Sequence, residues 1–386
     1  MAHHARRETM HPPSAPAGLD TLLADIKSRR REFERQQFIS QDIIERFREI
    51  GIYRAFVAKR FGGDEMAPAD FCRLIETISA ADGSAGWVAS FGAGAIYLSA
   101  LPVATLEQIY AKTPNHVFAG GIFPPQPATR VDGGFRFSGR WEWASGCMGA
   151  DLFGAGIAPR TGDKFELPRM AVLPREKVRI EKNWDVVGLQ GTGSHDIILE
   201  DVTVPEDWTF LRGSKSSMTE PLYRYPALSL ATQVLAIVGL GVARGAIDEV
   251  IAMSAERTSA TGAPKLGDRV YVQLEIAKVE AELRAARSWF YEAIDEVWQL
   301  LLAGKEPSPQ QVSMLRLSST HATRVGAEVA RRAQMVTGMT GLYRACPLSA
   351  YVNDAQTVTQ HAFVGDITYQ NAGAMMFGLA PLPGYL

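Results

Sequence analysis

Ser145 closes a run in which two tryptophans stand two residues apart, GRWEWASGC, residues 139 to 147. Alternate residues of a strand share a face, so Trp141, Trp143 and Ser145 are expected on one side if the strand runs on through them. Two indoles and a hydroxyl on one face make either a plain core wall or a shelf for a flat heteroaromatic ring with one hydrogen-bonding handle. The second group is His361, in VTQHAFVGD, which the pattern places on the last helix beside Gln360 and five residues before Asp366. An imidazole there can donate, accept or carry a proton near neutral pH, and a lone helical histidine serves equally well as packing.

Other chemically suggestive groups do not combine. GLGVARG (239 to 245) has dinucleotide-like glycines, but it lies inside a helical pattern and lacks the preceding strand and following acidic residue that a phosphate cradle needs. Close helix packing accounts for those glycines. In GTGSHD (191 to 196), Ser194, His195 and Asp196 are adjacent, so an extended chain turns them to opposite faces and no nucleophile relay forms. His3, His4 and His11 belong to the N-terminal tail, and His116, His195, His321 and His361 show no metal-site spacing. Cys72, Cys147 and Cys346 are scattered. No metal is expected, and a reducing cytoplasmic setting fits.

The elements that must position these residues fall into regions. With 386 residues, several packed units are expected, and a net charge of −2 lacks the basic excess that nucleic acid demands. Apolar runs such as residues 228 to 243 are shorter than the roughly 20 residues of a membrane span, so none is expected. Residues 1–17, without an apolar leader segment, read as a disordered tail. Residues 18–115 repeat apolar positions at helical steps, with Ser40 placed to cap a helix and Pro68 suited to a first turn. Residues 116–225 carry short alternating runs such as FRFSGRWEW and DIILEDVTVP and read as a β domain. Residues 226–386 return to long helical patterns near 227–257, 268–303, 308–337 and 347–378, joined by short linkers, which implies a four-helix bundle. The expected class is α+β.

That order of regions, with GRWEWASGC and GLQGTGSHD (188 to 196), resembles the acyl-CoA dehydrogenase fold over nearly the whole chain after the tail. Within it the chain is similar to the two-component flavin-dependent monooxygenases that hydroxylate 4-hydroxyphenylacetate and 3-hydroxy-seco-steroids. Gln360 and His361 match the late Gln-His of that branch. Dehydrogenases of the fold carry a glutamate base near the end of the bundle, and residues 338–386 contain no glutamate. A dehydrogenase with bound FAD and a non-catalytic flavin-binding scaffold are the alternatives.

The resemblance implies an oxygenase component. It would take reduced flavin, FMNH2 or FADH2, from a separate NAD(P)H-dependent reductase, react it with O2 to a C4a-hydroperoxide, and oxygenate a small aromatic or heteroaromatic substrate. It also implies a homotetramer. Carried onto this sequence, it sets the backbone of Trp143, Ala144 and Ser145 against the flavin ring, with the Ser145 hydroxyl near N5 and His361 facing the oxygen. Arg257 would reach the flavin phosphate, and Gln273 and Phe123 are further flavin-lining candidates. Trp87, Phe91, Tyr97 and Phe363 are candidate substrate-lining residues. Phenol hydroxylases of the branch often carry a histidine in the helix after the Ser-x-x-Trp segment, where this chain has Ala95. The missing base favours a ring that is already electron-rich, such as an indole, or a substrate attacked at sulfur or nitrogen.

Overall fold

Apolar residues at three- and four-residue steps build the first helices: α1 (Leu19–Gln36), α2 (Gln41–Glu49), α3 (Pro68–Ala81), α4 (Gly83–Ser90), α5 (Gly94–Leu98) and α6 (Val103–Tyr110). Pro68 occupies the first turn of α3, as its fixed φ allows. Ser40 stands at the N-cap of α2, but its hydroxyl donates to Glu32 Oε1 at 2.7 Å and caps no helix amide. A charged acceptor on the neighbouring helix outcompetes the capping amide. The computed structural model describes residues 16–161, 164–211, 213–256 and 264–386. The first 15 residues of the tail segment and Arg257 lie outside the described residues.

The alternating segments form β1 (Phe118–Val131), β2 (Gly134–Trp141), β3 (Leu152–Thr161), β4 (Lys164–Phe165), β5 (Arg169–Pro174), β6 (Arg179–Glu181), β7 (Asp196–Pro205) and β8 (Thr209–Leu211). They join one eight-stranded sheet in the order β6-β7-β2-β1-β3-β5-β8, with β4 paired to β3. Of these pairings only β1 with β3 is parallel, and its register shifts between Gly121 and Gln126. β2 pairs with β7 up to Trp141 opposite Ile197, so the end of β2 and the start of β7 lie side by side. This pairing brings GRWEWASGC against GTGSHD.

The rest is helical: α7 (Pro221–Arg224), α8 (Ala227–Glu256), α9 (Val270–Leu302), α10 (Pro309–Met335), α11 (Leu348–Val358) and α12 (Ile367–Met376). The expected final helix over 347–378 is interrupted at residues 359–366, where a single 3₁₀ turn, Ala362–Val364, separates α11 from α12. Thr359 and Gln360 at the break give their side chains to local partners: Thr359 Oγ1 donates to Gln356 O at 2.7 Å and Gln360 Nε2 donates to Thr359 Oγ1 at 3.0 Å. Such local bonds compete with helix continuation. His361 thus caps the short turn and is not on a helix. Among the described residues, no helix is long and apolar enough to cross a membrane.

Buried side chains run without interruption from the first helices through the sheet to the bundle. The glycines of 239–245 are packing sites. A Cβ on Gly245 would lie 2.5 Å from Ala80 O and 2.7 Å from the Tyr351 ring. Gly245→Ala is therefore expected to cost about 1–3 kcal/mol in unfolding free energy, measured by urea denaturation, because α8 cannot otherwise lie so close to α3.

Candidate active site

β2 ends at Trp141, and the chain then turns sharply. Trp141 is fully buried, with its Nε1–H donating to Gly156 O at 2.9 Å and its ring edge-on to Phe137. Trp143 adopts φ +60°, a left-handed conformation that costs a bulky residue energy, and its indole is 63% exposed. The two tryptophans therefore do not share a face. The alternation predicted from the sequence fails because residues 144–147 leave the strand to bond elsewhere. Ala144 N–H donates to His195 O at 3.1 Å, Ser145 N–H to Trp143 O at 2.8 Å and Gly146 N–H to Thr192 O at 2.8 Å. With those amides engaged, the Ser145 hydroxyl is the polar handle left on this turn.

That hydroxyl is buried and belongs to a chain. Trp87 on α4 donates its Nε1–H to Ser145 Oγ at 3.1 Å. Ser145 Oγ lies 2.6 Å from Ser194 Oγ, which lies 2.7 Å from Thr192 Oγ1. Thr192 Oγ1 donates to Leu189 O at 2.9 Å. Each hydroxyl has one hydrogen, and Thr192 spends its own on Leu189. Ser194 can therefore donate to Thr192 while Ser145 donates to Ser194. Alternatively Ser194 donates to Ser145, which frees the Ser145 proton for a ligand. Turning two hydroxyls converts one state into the other.

His361 approaches the same tryptophan. Its ring centroid is 5.8 Å from that of Trp87 and 5.0 Å from Phe363, the latter edge-on. The Phe363 backbone N–H donates to His361 Nδ1 at 3.2 Å, which puts the ring proton on Nε2. Burial pulls the imidazole down to about 4, so it is neutral at pH 7. On α10, Arg324 donates to Thr359 O at 3.3 Å and to Val364 O at 3.4 Å and pairs with Asp366 at 3.0 Å, bracing the turn that carries the imidazole.

A buried carboxyl holds the loop behind the hydroxyl chain. Leu189, at φ +52°, donates its N–H to Asp354 Oδ1 on α11 at 2.5 Å, and its carbonyl also accepts Trp184 Nε1–H at 3.1 Å. Burial, then the nearby Asp82 carboxyl, pushes Asp354 up to about 8. In the unfolded chain the group ionises near 4, so between pH 4 and 8 the folded state binds the extra proton and stability falls as pH rises. Asp354→Asn keeps an acceptor for Leu189 and removes the titration. The variant is expected to lose less stability than the parent between pH 5 and pH 8, by on the order of a few kcal/mol, measured by chemical denaturation at both pH values.

Trp87, Ser145, His361 and Phe363 are thus brought together by α4, the turn after β2 and the break between α11 and α12. Phe91 and Tyr97 are half-buried and pack against the core beyond α4. Phe123 on β1 is half-exposed and lines a cavity of about 210 Å³ with Ile122, Leu167 and Met170. Gln273 is exposed on the first turn of α9, with its amide donating to Gly267 O at 2.8 Å. Ala95 faces a niche of about 10 Å³ between Tyr110 and Tyr223. His195 is an anchor: its Nδ1 accepts the N–H groups of Asn183 and Trp184 at 3.1 and 3.0 Å. Sequence reasoning missed the pairing of Thr192 with Ser194, because the hydroxyls meet across a left-handed turn at Gly193, φ +57°, that strand alternation does not signal. The donor set suits a planar polar heterocycle: an exposed indole on a strained turn, a buried hydroxyl that can release its proton, and a neutral imidazole.

The chain is similar to known proteins along nearly its whole length. Residues 233–365 match the family model described as "Acyl-CoA dehydrogenase, C-terminal domain". An indole-3-acetate monooxygenase of Pseudomonas putida is 60% identical over 97% of this chain and 96% of its own length. The oxygenase component of an FADH2-dependent resorcinol hydroxylase of a Rhizobium strain is 28% identical over 100% of this chain and 99% of its own. The crystal structure of a 3-HSA hydroxylase from Rhodococcus sp. RHA1 superposes with a TM-score of 0.90 at 26% identity, covering 95% of this chain and 97% of that one.

Proposed function

The chain belongs to the flavin-dependent monooxygenases built on the acyl-CoA dehydrogenase fold, and from that premise we propose that it oxygenates an indole carrying a short acidic arm, indole-3-acetate being the first candidate. It acts as an oxygenase component that receives reduced flavin, FMNH2 or FADH2, from a separate NAD(P)H-dependent reductase. A homotetramer in the cytoplasm, with the three-domain division at residues 18–115, 116–225 and 226–386, completes the proposal. The observation that carries it is that a Ser145 hydroxyl able to release its proton and a neutral His361 imidazole both meet Trp87.

When bound, reduced flavin supplies the reaction with dioxygen and the oxygen atom that is transferred. The rest is the work of this chain. The strained turn at Trp143 to Ser145 and Phe123 would hold the ring system, and Ser145 would donate to a ring nitrogen once Ser194 turns its own hydrogen inward. Arg257 would reach the phosphate, and Gln273 would contribute a flavin contact from α9. His361, with its proton on Nε2, would donate a hydrogen bond toward the reacting oxygen and, staying neutral, would orient the water that departs. Trp87, Phe91, Tyr97 and Phe363 would exclude water and orient the aromatic substrate.

The test supplies purified protein with a flavin reductase, NADH, FMN or FAD, oxygen and indole-3-acetate. A product heavier by one oxygen atom, with the label traced from ¹⁸O₂, is the expected result. Consumption of NADH that ends wholly in hydrogen peroxide, with every indole, phenol and thiophene tried, would defeat the proposal.

A further inference from the structure

The bundle next to this site contains a buried cation without a counter-charge. Arg316 on α10 is 5% exposed. One terminal nitrogen donates to Tyr385 O, the other to Phe363 O at 3.3 Å, and Nε has no acceptor. Its guanidinium carbon sits 4.7 Å from the centroid of the Tyr385 ring. No carboxylate oxygen of a described residue is within 4.0 Å. The other arginines of α10 are all paired: Arg324 with Asp366, Arg331 with Glu328, and Arg332 with Glu275 and Glu282. Those pairs are exposed or partly so, which makes the buried exception more costly.

Uncommitted hydroxyls accompany this cation. Thr320 is one turn further along the same face of α10, fully buried, and its Oγ1 has no partner. Thr368, in the first turn of α12, and Ser229, in the first turn of α8, are buried and partnerless in the same way. Arg224, just before α8, pairs with Glu306, just before α10, and a Cβ on Gly326 would strike the backbone of Gly239 near mid-helix. α8 and α10 therefore run parallel, and Ser229 stands at about the level of Arg316. Phe363 links this polar end of the bundle to His361, whose ring its own ring meets edge-on.

We propose that Arg316, assisted by Thr320, receives the carboxylate of the substrate, so that the site selects aromatic acids with a short side arm over the bare ring. This rests on the reading that the Trp87, Ser145 and His361 site oxygenates an aromatic ring, and it adds how the acid is recognised. A carboxylate gives the guanidinium its missing charge and a charge-assisted acceptor for Nε. The hydroxyl of Thr320 supplies a further donor. A neutral indole offers none of this and leaves the cation as unpaired as before.

The experiment compares indole-3-acetate with indole in the parent, R316Q, R316K and T320V. The readout is the ratio of kcat/KM for the acid to that for indole. R316Q is expected to lower this ratio about 30-fold or more, R316K less, and T320V several-fold. In a second arm without flavin or turnover, saturating indole-3-acetate is expected to raise the melting temperature of the parent and not that of R316Q. If R316Q lowers both substrates equally and the melting shift persists, Arg316 only ties down the C-terminal segment and the inference falls. Should R316Q not fold, R316K and T320V decide by the same ratio. A parent that oxygenates neither compound defeats the functional reading alone, because the melting arm still decides whether Arg316 binds the acid.

Discussion

Replacing His361 with alanine is expected to slow oxygenation of bound substrate about 100-fold while changing substrate affinity by no more than a few-fold. The size follows from the usual contribution of a positioned proton donor. The direction follows from the protonation state. Phe363 N–H occupies Nδ1, so the imidazole presents Nε2–H, and burial holds it neutral. His361→Gln keeps a donor and should recover part of the rate; His361→Ala should recover none. Single-turnover mixing of reduced flavin, oxygen and substrate isolates the step. The pH profile is a second check: with the imidazole lowered to about 4, the rate should carry no His361 limb near 6.5, and an acid limb should enter near pH 4. Stability follows the same sign, since the unfolded chain takes up a proton near 6.5 that the folded ring refuses, and is lost as pH falls from 6.5 toward 4. Parent rates in the alanine variant would return His361 to a packing role.

The helices and strands were legible because their signals are local. Steps of three and four placed α1 to α3 and α8 to α10, and alternation placed β2 and β7. The parallel pairing of β1 with β3 was not legible, since register between distant strands depends on tertiary packing. The break between α11 and α12 was also missed. Thr357, Thr359 and Gln360 suit a helix by pattern, and only their side-chain bonds to nearby groups show that they end one.

At the site, Ser145 and His361 were singled out by residue type together with the family resemblance, and the shared face assumed for Trp141 and Trp143 required the strand to continue. It stops because Ala144 and Gly146 bond to His195 and Thr192, some fifty residues later, and no local signal carries that. Asp354 fixes the strained Leu189 behind the hydroxyl chain, across 165 residues of sequence that no local pattern bridges. Arg316 gave no signal, because an arginine in a helical repeat reads as a solvated face until neighbouring helices bury it.

Replacing Ser145 with alanine is expected to raise hydrogen peroxide released per reduced flavin consumed, with leakage about tenfold faster. A buried hydroxyl donor lost to a polar ring atom is worth about 1–3 kcal/mol, and 1.4 kcal/mol is a factor of ten. The hydroxyl chain sharpens this expectation. Ser145 can donate outward only while it accepts from Trp87 and Ser194, and Ser194 can supply that bond because Thr192 already donates to Leu189. Ser194→Ala leaves Ser145 in place and removes the acceptor that competes for its proton together with the donor that polarises its hydroxyl. It should therefore leave leakage close to that of the parent, without the unpaired Trp87 N–H that Ser145→Ala leaves behind. Trp87→Phe removes a second donor to Ser145 and should also leak. Peroxide and product measured together per flavin separate these effects from a loss of substrate binding. Coupling unchanged in Ser145→Ala would mean that the hydroxyl does not meet the flavin, and that the chain only staples the turn after β2 to the loop before β7.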